Sequence, residues 1–134
     1  MLIGEYSHTL DQKGRINFPV RLRDDLGEQF VITKGLDTCL SVYPMEEWRR
    51  LGEKLRELPR AKSRVVQRFI FAGAVEVMPD KQGRIVIPSN LRDYAGIERD
   101  VVIIGASDRV EIWDAGRWQE ACSELTADLV AETM

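Results

Sequence analysis

The apolar positions of the chain fall into short runs separated by glycine, proline and aspartate. Leu2 to Leu10 reads as a strand with a soft point at Gly4. Asp11-Gln12-Lys13-Gly14 reads as a turn, because Asp accepts from nearby backbone amides and Gly takes positive φ freely. Arg15 to Phe18 is the return strand, so a hairpin is predicted. Pro19 suits the first position of a short helix to Leu26, with Gly27 just past its end. Strands are predicted over Gln29–Lys34 and Cys39–Tyr43, with Gly35 between them. Pro44 opens a longer helix to about Leu58, which Pro59 ends, and Arg60 to Phe69 reads as a linker helix. The elements then recur: strand Ile70–Val77, turn Pro79–Gly83, strand Arg84–Ile87, short helix Pro88–Ala95, strands Val101–Ile104 and Val110–Trp113. A last helix follows, with Asp114 as its N-cap.

That recurrence is a sequence repeat. A shift of 69 residues lays Gly4 on Gly73, Asp11 on Asp80, Gly14-Arg15-Ile16 on Gly83-Arg84-Ile85 and Pro19 on Pro88. It also lays Leu22-Arg23-Asp24 on Leu91-Arg92-Asp93 and Gly27 on Gly96. One inserted residue near Arg99 changes the shift to 70, and Tyr43 and Trp48 then meet Trp113 and Trp118. The run D-x-x-G-R-I-x-x-P-x-x-L-R-D-x-x-G thus occurs twice. The boundaries are residues 1–58 for the first repeat, 59–69 for a helical linker and 70–134 for the second repeat. Two copies suggest a fused dimer related by a pseudo-twofold. A unit of ~45 residues cannot cover its own apolar face. The expected fold class is therefore α+β, with the two repeats interleaved into one β-barrel and helices packed outside.

Composition narrows the function. The chain has 134 residues, 44% hydrophobic and 31% charged, which suits a folded domain. No run is apolar and long enough for a transmembrane helix, and the start of the chain lacks signal-peptide character. Two cysteines, Cys39 and Cys122, are too few for a disulfide scaffold and fit a reducing cytoplasm, where both read as small apolar fillers. His8, the single histidine, reads as a strand residue, and no metal site or cofactor is expected. The net charge of -3 is uneven: residues 1–69 carry 13 Lys/Arg against 10 Asp/Glu, residues 70–134 carry 6 against 12. Local basic surface on an acidic body is still able to attract nucleic acid. Trp48 and Trp118, at matched positions, read as packing residues, and the basic stretch Arg49–Arg68 reads as a solvated helix face, a second phosphate track or a subunit contact.

The candidate chemistry sits at the two turns. Arg15 and Arg84 lie just past them, and a guanidinium fork matches guanine O6/N7 or a phosphate. Lys13 and Lys81 add phosphate attraction, and Gly14 and Gly83 let the backbone approach closely. Asp11 and Asp80 read as residues that fix the turns and hold the arginines, since phosphates repel a carboxylate. On the residues alone, purely structural Asp/Arg pairs are an equal alternative. A catalytic role is not expected. An aspartic dyad is contradicted by Gln12-Lys13 and Lys81-Gln82 after the two aspartates, and there is no P-loop, G-x-S-x-G or Cys/His cluster. The positive balance of the first half predicts the stronger contact at Arg15.

The opening M-L-I-G-E-Y, then D-Q-K-G-R-I-N-F-P, F-A-G-A, D-K-Q-G-R-I-V-I-P and Y-A-G-I, resembles the MraZ family across nearly the whole chain. That family belongs to the AbrB-like swapped-hairpin proteins. The resemblance implies a sequence-specific, DNA-binding transcriptional regulator of the bacterial division and cell-wall gene cluster. It implies binding of double-stranded DNA through the D-x-x-x-R motifs, here Asp11 to Arg15 and Asp80 to Arg84, and assembly into rings. A cytoplasmic, nucleoid-associated homo-oligomer on direct repeats in a promoter is the expectation. The alternative is an antitoxin-like AbrB relative acting through a protein partner. Such proteins usually carry one barrel half per chain and a disordered tail, so the duplication counts against it.

Overall fold

The computed structural model describes residues 1–134. The first repeat contributes β1 (Glu5–Thr9), β2 (Arg15–Asn17), α1 (Val20–Leu26), β3 (Phe30–Lys34), β4 (Leu40–Pro44) and α2 (Met45–Glu57). The helix α3 (Arg60–Ala72) leads to β5 (Val75–Val77), β6 (Arg84–Val86), α4 (Ser89–Ala95), β7 (Asp100–Gly105), β8 (Val110–Asp114), α5 (Ala115–Ser123) and α6 (Ala127–Thr133). Six strands form one antiparallel sheet in the order β1-β7-β8-β4-β3-β5, and β2 pairs with β6 in a second, two-stranded ladder.

The repeats interleave as expected. β1 pairs with β7, β3 with β5, β4 with β8 and β2 with β6, so each of these ladders joins one repeat to the other. Two expectations are corrected. The six-stranded sheet ends at β1 and β5 and does not close, so the fold is mixed α+β around an open sheet rather than a barrel. Nor do the strands flanking each turn pair with each other: β1 takes β7 and β2 takes β6, which leaves a turn without its own hairpin ladder.

Local boundaries shift for identifiable reasons. Pro19 and Pro88 sit immediately before α1 and α4, with ψ of 132° and 149°, while their carbonyls accept the first helical amides. No breaker follows Pro59 until Gly73, so α3 takes in Ile70 to Ala72, which the sequence pattern assigned to a strand. Asp114 caps α5 as expected, accepting from the Arg117 amide. The helix α6, capped by Thr126, was not anticipated.

The core is continuous across both repeats. Ile16, Leu22, Phe30, Ile32, Leu40 and Val42 meet Ile85, Leu91, Val101, Ile103, Val110 and Ile112, all essentially inaccessible. Each such side chain contributes about 1.5–3 kcal/mol by leaving water. β3 is buried on both faces, because α3 covers the side away from the core. There the buried Thr33 hydroxyl donates to the Ile70 carbonyl. Ile16 and Ile85 stand opposite each other at the centre of the β2–β6 ladder, so the two turns issue from one rigid, shared point.

Candidate nucleic-acid interface

The turn is built from the aspartate outward. Asp11 Oδ1 accepts from the backbone amides of Lys13 and Arg15, both at 2.9 Å, and Oδ2 accepts from Arg15 Nε at 2.8 Å. The Gly14 amide closes onto the Asp11 carbonyl at 3.1 Å, and Gly14 has φ of 77°, a conformation that favours glycine. The second copy repeats this arrangement. Asp80 Oδ1 accepts from Gln82 and Arg84 amides and Oδ2 from Arg84 Nε, all at 2.9 Å, and Gly83 has φ of 79°. The backbone amide of Arg15, followed by its guanidinium and the Lys13 amide, holds the Asp11 carboxyl below its ordinary pKa despite an opposing desolvation effect. Arg84 and Gln82 do the same for Asp80.

The carboxylate therefore grips each arginine by Nε alone. Nη1 and Nη2 of Arg15 and Arg84 have no partner in the chain. About 30% of each side chain is exposed: 31% for Arg15 and 29% for Arg84. Such an arginine is held at its base with both terminal nitrogens unpaired, and a guanidinium fork left free in this way suits bidentate recognition. The structural-pair reading and the binding reading are thus compatible, since the ion pair aims the arginine.

Each turn is completed by the other repeat. Gly14 O accepts from the Ile87 amide at 2.9 Å, and Gly83 O from the Phe18 amide at 3.0 Å. Arg92, on α4, donates Nε to the Ile87 carbonyl at 3.0 Å and lays its guanidinium against Gly14. Arg23, on α1, donates to Phe18 O at 3.1 Å and lies against Gly83. A Cβ on Gly14 would stand 3.1 Å from Arg92 Cζ, and one on Gly83 would stand 2.8 Å from Arg23 Cζ, so both glycines leave room for an arginine of the opposite repeat. Arg23 and Arg92 were not among the residues singled out for the site. Their signal was in the repeat, where L-R-D follows each Pro-led helix start at matched positions, but nothing local shows that each reaches across to the other turn.

This crossing removes the basis for ranking the turns by the net charge of each half. The first turn gathers Lys13, Arg15 and Arg92 around Asp11; the second gathers Lys81, Arg84 and Arg23 around Asp80. The remaining difference is local. Asp24 and Glu28 line the concavity beside Asp80 and Arg23, and the repeat position of Glu28 is Ile97 in the second copy.

Elsewhere, Trp48 packs against Tyr43 and Phe71, and Trp118 packs against Trp113, with ring centroids 5.1–6.0 Å apart. Cys39 is buried, its Sγ donates to Leu36 O, and burial pushes its thiol up to about 12. Cys122 is exposed on α5, a correction to its reading as a filler, because that face of α5 meets nothing else in the chain. Of the basic stretch, Arg49, Arg50, Lys54, Arg56, Arg60, Lys62, Arg64 and Arg68 are all exposed. No helix is long and apolar enough to cross a membrane.

A family model described as "MraZ protein, putative antitoxin-like" matches residues 1–69 and again 70–133. The chain belongs to the MraZ family. A protein named Transcriptional regulator MraZ from Moorella thermoacetica is 55% identical over 128 residues, covering 94% of this chain and 90% of that protein. Proteins of the same name from Heliobacterium modesticaldum and Acetivibrio thermocellus are 60% and 52% identical, covering 90% and 100% of this chain and 85% and 96% of their own. The resemblance drawn from the paired D-x-x-G-R motifs is borne out, and so is the reading as a transcriptional regulator rather than an enzyme. The antitoxin-like alternative is not favoured by those names.

Proposed function

We propose that this MraZ family member regulates transcription by binding double-stranded DNA through its two turns. Arg15 and Arg84 read base edges or clasp phosphates with their free Nη pairs. Lys13 and Lys81 approach the phosphates, and the backbone at Gly14 and Gly83 lets the duplex come close. Asp11 and Asp80 aim the arginines without touching DNA, and Arg92 and Arg23 add positive charge beside each turn. The observation that carries this reading is the Nε-only grip, which leaves two unpaired donors on each arginine.

One turn covers only a few base pairs, whereas specific interfaces bury about 1,000–2,500 Å² of protein surface. Several protomers, in a cyclic assembly, would therefore engage direct repeats spaced about one helical turn apart. From the family resemblance we infer the division and cell-wall gene cluster as the target, and action at the nucleoid in the cytoplasm goes with that reading. Footprinting on the region upstream of the protein's own gene, across a salt series, tests this. Protected, regularly spaced boxes that are lost in Arg15→Ala support it, and unchanged protection by that variant overturns it.

A further inference from the structure

The cross-repeat turns leave two features unexplained, one basic and one acidic. The helix α3 carries Arg60, Lys62, Arg64 and Arg68 and no carboxylate, and none of the four makes an ion pair within the chain. The tail from residue 119 onward carries Glu120, Glu124, Asp128 and Glu132 and no Lys or Arg, and these too are unpaired within the chain. Both sets are exposed.

The spacings match. Arg60, Arg64 and Arg68 recur every fourth residue, in a row along one side of α3. Of the equally spaced tail carboxylates, Glu120 lies on α5, Glu124 just past its end, and Asp128 and Glu132 on one side of α6 beyond the extended Thr126. Each set is followed by apolar residues one position later. Ala61 and Val65 follow Arg60 and Arg64; Ala121, Leu125 and Leu129 follow the tail carboxylates. Val65, Leu125 and Leu129 are 65%, 63% and 52% exposed. Every residue from 122 to 134 is exposed, so α6 packs on nothing in its own chain. A helix of seven residues is too short to hold itself in water, where about 12–15 are needed even for favourable sequences.

We infer that the acidic tail, with α6, docks on the α3 helix of a second copy of this chain, its carboxylates on the arginine row and Leu125 and Leu129 against Val65. The contact is heterologous, tail to helix, so it repeats from copy to copy and closes into a ring or runs on as a filament. It rests on the assembly reading above and names the surface that carries it. It also leaves the two turns free for DNA.

Two charge-reversed variants of the full chain test it by light scattering. One carries Glu124→Lys, Asp128→Lys and Glu132→Lys; the other carries Arg60→Glu, Arg64→Glu and Arg68→Glu. Each alone should fall from the wild-type assembled mass towards the 15.3 kDa monomer. Mixed in equal amounts they should regain the assembled mass, because each reversed tail meets a reversed helix and each unreversed tail an unreversed one. Should either triple variant lose its circular dichroism signature, Asp128→Lys and Arg64→Glu carry the same comparison. Wild-type mass in either variant alone, or no recovery on mixing, overturns the inference while leaving assembly by another surface intact. An α3 variant that loses non-specific DNA binding at unchanged mass makes α3 a phosphate track instead. A wild-type protein of 15.3 kDa overturns both readings.

Discussion

Asp11→Asn separates two opposed effects at the turn. Asparagine keeps an oxygen where Oδ1 accepts from the Lys13 and Arg15 amides, so the turn itself should persist. Its Nδ2 replaces Oδ2, and a donor cannot accept from Arg15 Nε. The guanidinium is then free to wander. Coulomb attraction alone predicts tighter binding, because a negative charge next to phosphates has gone. Preorganisation predicts the reverse for specific sites, because Arg15 must now be ordered as DNA binds.

The ordering effect should win at specific sites. Immobilising a flexible arginine costs about 1–1.5 kcal/mol, roughly five- to tenfold in affinity per turn, and several protomers on one DNA compound it. At scrambled DNA, where Arg15 need adopt no single pose, binding should stay equal or tighten. Fluorescence anisotropy on a multi-box duplex and on a scrambled duplex, at several salt concentrations, measures both. The specificity ratio should fall in Asp11→Asn. Tightening by the same factor on both duplexes would refute the idea that the carboxylate aims the arginine.

Arg15→Ala should weaken operator binding more than Arg84→Ala in gel shifts at equal salt, because Glu28 lies beside the second turn where the first has Ile97; equal or reversed losses would remove local acidity as the cause. Gly83→Ala forces a Cβ to within 2.8 Å of Arg23 Cζ at a φ of 79°, so it should displace Arg23 and weaken DNA binding, with a backbone strain of about 1–2 kcal/mol in denaturant melts. Ile85→Ala empties a nearly inaccessible site at the shared ladder and should cost about 2–4 kcal/mol of stability by urea unfolding. Burial lowers the His8 pKa below 6.5, so its folded state prefers the neutral ring: the related stability is complete above pH 6.5 and falls as pH drops through and below that value, a loss that His8→Gln should abolish in pH-dependent melts. Asp11 and Asp80, both lowered from 3.8, keep their contribution above that value and lose it only as pH falls through their lower folded values, so they should add no pH dependence near neutrality.

What the sequence made legible was whatever depends on neighbours in the chain. The turns could be read because Asp11 and Gly14 act on amides within four residues, and the end of α2 and the start of α5 because Pro59 and Asp114 act at their own positions. The repeat showed the pseudo-symmetry directly, through matched residue types. Strand partnership was not legible, because β1 and β2 were free to pair with each other or with the second copy, and both choices bury the same faces. Only the register across repeats, Ile16 opposite Ile85, decides it. The same non-locality hid Arg23 and Arg92, whose guanidiniums contact residues sixty or more positions away on the chain.

That exchange explains why the motif occurs twice in one chain. A single repeat holds the aspartate, the glycine and the paired arginine of one turn, but the ladder and the second arginine that support it belong to the other repeat. Separated, each half would leave Gly14 O or Gly83 O without its donor and would expose Ile16 or Ile85 at an unpaired edge. Fusion makes the partner always present, so the turns are built at any protein concentration and folding does not wait on dimerisation. On the proposed reading, what concentration would still control is the number of chains lined up on a DNA segment. With the proposed tail-to-helix contact, such a regulator would titrate by assembly, with turns already formed and occupancy rising as tails find helices.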